Sequence, residues 1–138
     1  MKKIILFIAI FGFTYSYGQG ADTLLQGKWV LFKIIDNMSG ETITPSHKTT
    51  EAFEYFIEFT DNQVKYNLEV NKCENEIIVG KDRSIEFKYF SNCTSFCCDA
   101  DFSNLLTYSD CTKYYIKGGK TLVLVSEDRI FYFSRPKE

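Results

Sequence analysis

Apolar and polar residues alternate along most of the chain from Lys28 onward. Lys28 to Ile35 puts Trp29, Leu31 and Lys33 on one face and Val30, Phe32 and Ile34 on the other. In Glu51 to Thr60, Phe53, Tyr55, Ile57 and Phe59 face one way, and Glu54 and Glu58 the other. Asp61-Asn62 is turn chemistry. Beyond it Gln63 to Val70 sets Val64, Tyr66, Leu68 and Val70 against Lys65, Asn67 and Glu69. A period of two marks a strand with one buried face. A short strand follows at Ile77 to Val79, and then Ser84 to Phe90, with Ile85, Phe87 and Tyr89 opposed to Glu86 and Lys88. Lys113 to Ile116 and Thr121 to Val125 flank Gly118-Gly119, which fits a tight primed turn built on positive φ. Arg129 to Ser134 is the last strand. These are about eight strands in mainly hairpin order. They predict an antiparallel sheet that curls into a small barrel and hides its edges.

Two stretches depart from the alternation. Asp36 to Thr50 is polar, carries Gly40 and Pro45, and reads as a long loop. Cys93 to Cys111 holds the one helical pattern: Phe102, Leu105 and Leu106 stand at i, i+3 and i+4. A helix is expected over roughly Asp99 to Tyr108. Leu122 to Val125 and Ile130 to Phe133 are continuously apolar, which predicts cover on both faces, with that helix as the second cover. The expected fold class is mainly β: a small antiparallel barrel-like domain of about eight strands with one helix packed against it.

The first residues change the picture of where the protein works. Lys2 and Lys3 precede an uncharged apolar run, Ile4 to Phe13, and Ser16 and Gly18 supply small residues at cleavage positions. The expectation is a signal peptide over 1–18 and a single domain over 19–138. The run is too short for an ordinary membrane span. No cysteine stands at the cleavage site for a lipid anchor, since the first is Cys73. A soluble exported protein, periplasmic or secreted, with no membrane span in the mature chain is therefore expected. Without Lys2 and Lys3, 14 basic side chains face 18 acidic ones. That balance argues against nucleic acid or anionic lipid as a partner. Outside the cytoplasm, thiols tend to pair, so the cysteines read first as disulfides.

Two family resemblances follow from particular residues. Leu25-x-Gly27-x-Trp29-x-Leu31, with Arg135 just after the last strand, resembles the lipocalin or calycin pattern. The resemblance implies that Trp29 and Arg135 pack together, and it implies a carrier of a small apolar ligand. The same opening also resembles the META/HslJ family, and here the likeness covers more of the chain. Cys73-Glu74-Asn75 stands near that family's Gly-Cys-Asn motif, and Thr94-Ser95-Phe96-Cys97-Cys98 is similar to its Thr-x-Met-x-Cys motif. Asp101-Phe102 to Leu105 is similar to its acidic-aromatic helix, and Tyr115 to Leu124 to its closing hairpin. Lys72 replaces the family's glycine, an extra residue separates Cys73 from Asn75, and Cys93, Cys97 and Cys111 are additions. The META resemblance implies a small envelope or secreted β protein of obscure molecular activity.

Five cysteines leave one unpaired, and four paired residues allow about 15 arrangements. The META resemblance implies a bond between Cys73 and Cys98. Cys93 and Cys111, where the excursion leaves and re-enters the sheet, are then the second candidate pair, and Cys97 the free thiol. No Cys-x-x-Cys pair or neighbouring histidine supports a metal site. A redox-active thiol at Cys97-Cys98 is a competing reading, although no basic residue within Cys93 to Asp110 lowers a thiol pKa.

Catalytic signatures are absent. There is no nucleotide-binding glycine pattern, no Gly-x-Ser-x-Gly and no His-Glu-x-x-His. His47 is the only histidine and lacks partners for a triad or a metal. Glu54 and Glu58 read as solvated residues of a polar face. The expectation is a non-catalytic binding or interaction module without cofactor or metal. Its partner is an unknown envelope protein or, on the lipocalin reading, a small apolar ligand.

Overall fold

The computed structural model describes residues 22–45, 54–88 and 92–138. The expected signal peptide, His47, Phe53 and Tyr89 lie outside them. Among the described residues ten strands form one sheet: β1 (Gly27–Asp36), β2 (Thr42–Ile43), β3 (Phe56–Thr60), β4 (Gln63–Asn67), β5 (Lys72–Val79), β6 (Ile85–Phe87), β7 (Asn92–Cys93), β8 (Lys113–Lys117), β9 (Thr121–Val125) and β10 (Arg129–Ser134). Eight of them run in the order β6-β5-β4-β3-β1-β10-β9-β8, every pairing antiparallel. The path nearly closes. Ser84 bridges Lys113 across the seam, Ile85 N–H donates to the Thr112 carbonyl at 3.0 Å, and Tyr114 N–H donates to the Arg83 carbonyl at 3.0 Å. The protein is thus a mainly antiparallel, nearly closed eight-stranded barrel. β2 and β7 are short additions, on β1 and β5 respectively.

β1 is the axis of the sheet, and it does not keep its expected parity. Leu31 pairs with Phe133 but Lys33 pairs with Tyr132, so Phe32 is an extra residue in a β-bulge. A bulge switches which side chains face inward. Trp29, Leu31 and Ile34 are buried, while Lys33 and Phe32 turn outward, where Lys33 Nζ stacks over the Tyr132 ring at 4.1 Å. Strict alternation would have sent Lys33 into the core.

Turns follow their chemistry. Gly118 and Gly119 both have positive φ, 58° and 68°, and Lys120 N–H closes the turn on the Lys117 carbonyl. Asp61, at φ 53°, turns β3 into β4. β4 stops at Asn67, earlier than the apolar pattern suggests. The Asn67 side chain leaves the ladder to accept from Phe56 N–H and donate to the Glu54 carbonyl. β5 begins well before Ile77, its polar residues Lys72, Glu74 and Glu76 having hidden it.

The expected helix is two short 3-10 turns, Asp101–Leu105 and Tyr108–Asp110. Ala100 offers no capping side chain, and the Asp99 carboxylate that could cap is bonded elsewhere. Ser103, Asn104 and Thr107 are weak helix formers, and Ser103 Oγ bonds back to the Ala100 carbonyl. This segment does not cover the outer face of β9 and β10. It turns inward: Phe102 lies against Tyr55, with ring centroids 4.8 Å apart, and Leu106 and Tyr108 enter the core. β10 alternates after all, Phe131 and Phe133 pointing in and Ile130 and Tyr132 half-exposed. On β9, Val123 is buried on the outward side between its register partners Tyr115 and Tyr132.

The cysteine pairing also differs from expectation. β7 lies antiparallel to the start of β5 with Cys73 directly opposite Cys93, Cα atoms 4.1 Å apart, and these two form the disulfide. That is the close kind of antiparallel pair, and it places the two side chains on one face. Cys98 is therefore not the partner of Cys73, and Cys93 is not available to Cys111. Cys97 is not the free thiol: it sits sulfur to sulfur with Cys98. The free cysteine is Cys111, buried in the core.

Candidate functional site

The inside of the barrel is occupied by its own side chains. Trp29, Phe59, Tyr108, Phe131 and Phe133 have essentially no exposed surface. Tyr108 is the centre of this packing. Its ring meets Tyr66 edge-on at 5.2 Å, Phe131 at 5.0 Å and Phe133 at 5.7 Å. Such tilted and edge-to-face pairs favour the ring quadrupoles. Burial holds the Tyr108 hydroxyl far above its ordinary pKa, and its Oη has no hydrogen-bond partner among the described residues. Burial likewise raises the Cys111 thiol, with the Asp110 charge adding to it. A thiol that stays protonated and buried is a poor nucleophile, so Cys111 is a packing residue.

One end of the barrel, where β1 and β4 begin and β3 and β10 finish, is closed by Arg135. Its guanidinium lies 3.6 Å from the centroid of the Trp29 ring. Nη1 donates to the Gln26 carbonyl at 2.7 Å and Nη2 to the Leu24 carbonyl at 2.8 Å. Trp29 Nε1 donates to the Leu25 carbonyl at 2.8 Å. The Trp29–Arg135 pair that the resemblance implied is present. Gly27, at φ 93°, leaves room for it, since a Cβ there would come 3.1 Å from Arg135 Nη1. What passes close to the glycine is the Arg135 guanidinium.

The opposite end carries the cysteine-rich excursion, and here polar groups do the positioning. Asn71, in the turn between β4 and β5, is 7% exposed, and its side chain is fully engaged. Its Oδ1 accepts from Phe96 N–H at 2.8 Å and from Thr94 Oγ1 at 2.9 Å, and its Nδ2 donates to the Phe96 carbonyl at 2.8 Å. Nδ2 also donates to Asp99 Oδ2 at 2.7 Å, while Asp99 Oδ1 accepts from Val70 and Asn71 N–H. Glu69, at φ 88°, accepts from Ala100 N–H. The Asn71 hydrogen bond, ahead of the backbone ones, holds the Asp99 carboxyl below its ordinary pKa. Cys97 and Cys98 are thus bracketed, by Phe96 on one side and Asp99 on the other, both fastened to Asn71. The tip itself is exposed: Phe96 is 66% and neighbouring Val70 45% accessible, and both sulfur-bearing residues face solvent.

The remaining expected site residues do not converge. Glu54 is exposed, and Glu58 lies in register between Lys28 and Lys65 on the outer face. A groove of about 530 Å³ runs over that face, lined by Phe56, Lys65, Lys72, Glu74 and Cys93 among others. No cluster of three metal-binding side chains occurs among the described residues. No helix among them is long and apolar enough to cross a membrane. The Asn71–Asp99 clamp escaped sequence reasoning because its halves stand 28 residues apart. Paired polar residues at a turn and beside cysteines were the only hint.

No family model matches the chain, and no curated protein matches it. Two solved structures share its fold. A DUF4847 family protein from Bacteroides vulgatus is 14% identical, with a TM-score of 0.56, covering 84% of this chain and 96% of that one. A protein from Burkholderia xenovorans is 16% identical, with a TM-score of 0.61, covering 83% of this chain and 86% of that one. At such identities the likeness speaks for the barrel alone.

Proposed function

We propose that the protein is a small exported binding or interaction module, META-like and non-catalytic, that meets an envelope or secreted protein through its surface. The observation that carries this reading is the filled interior. Trp29, Phe59, Tyr108, Phe131 and Phe133 occupy the space in which a hollow barrel would hold a ligand. Recognition then falls to the outside, and the exposed tip around Phe96 and Val70 is the best-prepared surface there. Its backbone is held by the Asn71–Asp99 hydrogen bonds, so little ordering remains to be done on contact.

The second reading is a lipocalin-like carrier of a small apolar ligand, and the Trp29–Arg135 stack is what favours it. Intact mass under native and denaturing conditions separates the two. The module reading expects a bare chain in both. A bound mass of a few hundred daltons, lost on denaturation, would overturn it in favour of the carrier. Cross-linking from a photoreactive residue at position 96 in the exporting cell should then trap one protein partner, and Val70→Ser should weaken the yield.

A further inference from the structure

We infer that Cys97 and Cys98 form a surface thiol–disulfide exchange site whose reaction partners are small monothiols and their disulfides. Among the five cysteines they are the pair in which both members face solvent. Cys73 is buried beneath its bond to Cys93, and Cys111 is buried alone. The two residues are adjacent in the chain and their sulfurs meet. The protein fastens both flanks of this dipeptide. Phe96 gives its N–H and its carbonyl to the Asn71 side chain, and Asp99 takes Asn71 Nδ2–H and two backbone N–H groups. A nearly buried asparagine gives three of its four side-chain bonds to the residues that flank the two exposed sulfurs, the fourth holding Thr94. A packing role does not account for that, because neither cysteine contributes to the core.

The chemistry is a two-electron exchange. A monothiol R–SH loses its proton, and its sulfur attacks one sulfur of the Cys97–Cys98 bond. That bond breaks, a mixed disulfide R–S–S–Cys forms, and the displaced thiolate takes up a proton. A second R–SH attacks the mixed disulfide, R–S–S–R leaves, and the remaining cysteine is protonated. Two thiols have been oxidised to one disulfide and one protein disulfide reduced to two thiols. Run in reverse, R–S–S–R oxidises the pair. Cys111 takes no part, since its thiol is buried and stays protonated.

The inference does not rest on the contact reading. Exchange needs no protein partner, so the failure of either leaves the other standing. The test is to hold the folded full chain in buffers of glutathione and its disulfide at graded ratios. Thiols are then trapped with an alkylating agent and the cysteines mapped by mass. The expected result is joint alkylation of Cys97 and Cys98 at ratios that leave Cys73–Cys93 closed and Cys111 unmodified. Phenylarsine oxide should then bind the reduced pair. Cys97→Ser leaves Cys98 without its neighbour and should accumulate the glutathione mixed disulfide. The double variant Cys97→Ser/Cys98→Ser should fold with an unchanged melting temperature and lose both reactions. Two results would overturn the inference: alkylation of both cysteines in the oxidised chain without prior reduction, or opening of the pair only together with Cys73–Cys93.

Discussion

The two ends of the barrel are closed by different means. At one end a single arginine lies over Trp29 and satisfies backbone carbonyls of the lead-in at Leu24 and Gln26. At the other, some twenty residues leave the sheet at β7, cross the opening and send Tyr108 into the core before β8 begins. The first closure needs one side chain and a glycine. The second needs a disulfide, a hydrogen-bonded clamp and two 3-10 turns. The difference teaches where irregular structure carries its own support. An arginine cap draws on strands already in place, whereas a loop that must hold a plug has to be anchored along its length.

Removing the two plugs should give the largest effects and make the ends directly comparable. Trp29→Ala and Tyr108→Ala each delete a fully buried aromatic ring, and each should cost about 3–5 kcal/mol. Urea unfolding of the two variants checks this. Tyr108→Phe sharpens the result. It removes only an Oη that has no partner among the described residues, so it should be neutral or stabilising by about 1 kcal/mol. A loss of more than 1 kcal/mol would mean that the hydroxyl is satisfied within the core.

The next effect belongs to the excursion alone. Cys73 and Cys93 are 20 residues apart in sequence. Opening that loop by Cys73→Ser/Cys93→Ser should cost about 3 kcal/mol in the chain-entropy account. Cys111→Ser should leave the disulfide map unchanged. The wild-type Cys111 thiol should resist alkylation until the protein unfolds, which a pulse of alkylating agent along a denaturant series would reveal. If Cys111 is modified in the folded chain, the plug at this end is looser than its burial indicates.

The same contrast explains what the sequence could and could not disclose. Period-two alternation located β1, β3, β4 and β6, because each presents one face to a common core, while β9 and β10 stood out as continuous apolar runs and β5 only by its last three residues. It failed where a local event breaks the parity, as at Phe32, whose bulge turns Lys33 outward. Phe32 is as apolar as Leu31 before it, so composition carries no trace of the extra residue. The start of β5 was missed because Lys72, Glu74 and Glu76 face solvent there and Asn75 stands on its buried side. The Trp29–Arg135 closure was legible through a short motif. The cysteine pairing was not: spacing permits many arrangements, and the choice rests on the register of β7, a two-residue strand without an apolar signature. The Asn71–Asp99 clamp depends on the same long-range placement.

A smaller effect tests the simpler closure. Arg135→Ala removes the stack on Trp29 and the hydrogen bonds to Leu24 and Gln26, at a partly exposed position. A loss of about 1–2 kcal/mol is expected. Arg135→Lys should recover only part of it, since an ammonium cannot reproduce the planar fork. Thermal unfolding with Trp29 fluorescence as the probe reads both, and the emission should change even where stability hardly does.

The gentlest perturbation is pH, and it acts on the excursion. Asp99 has its folded pKa lowered, first by the Asn71 hydrogen bond. A depressed carboxyl contributes stability that is fully present above its unfolded pKa and is lost as pH falls through the folded one. The clamp should therefore be intact at neutral pH and release only below the ordinary aspartate range. Asp99→Asn should be less stable than wild type at pH 7, and the gap should narrow as the pH drops below about 4. Amide hydrogen exchange at Val70, Asn71 and Phe96 localises the change, because those N–H groups bond to Asp99 and Asn71. Their exchange should rise together in acid while the β9–β10 amides remain protected. Equal loosening of both regions would mean that the excursion and the barrel unfold as one unit. A gap that stays constant down to pH 2 would remove Asp99 from the support of the tip.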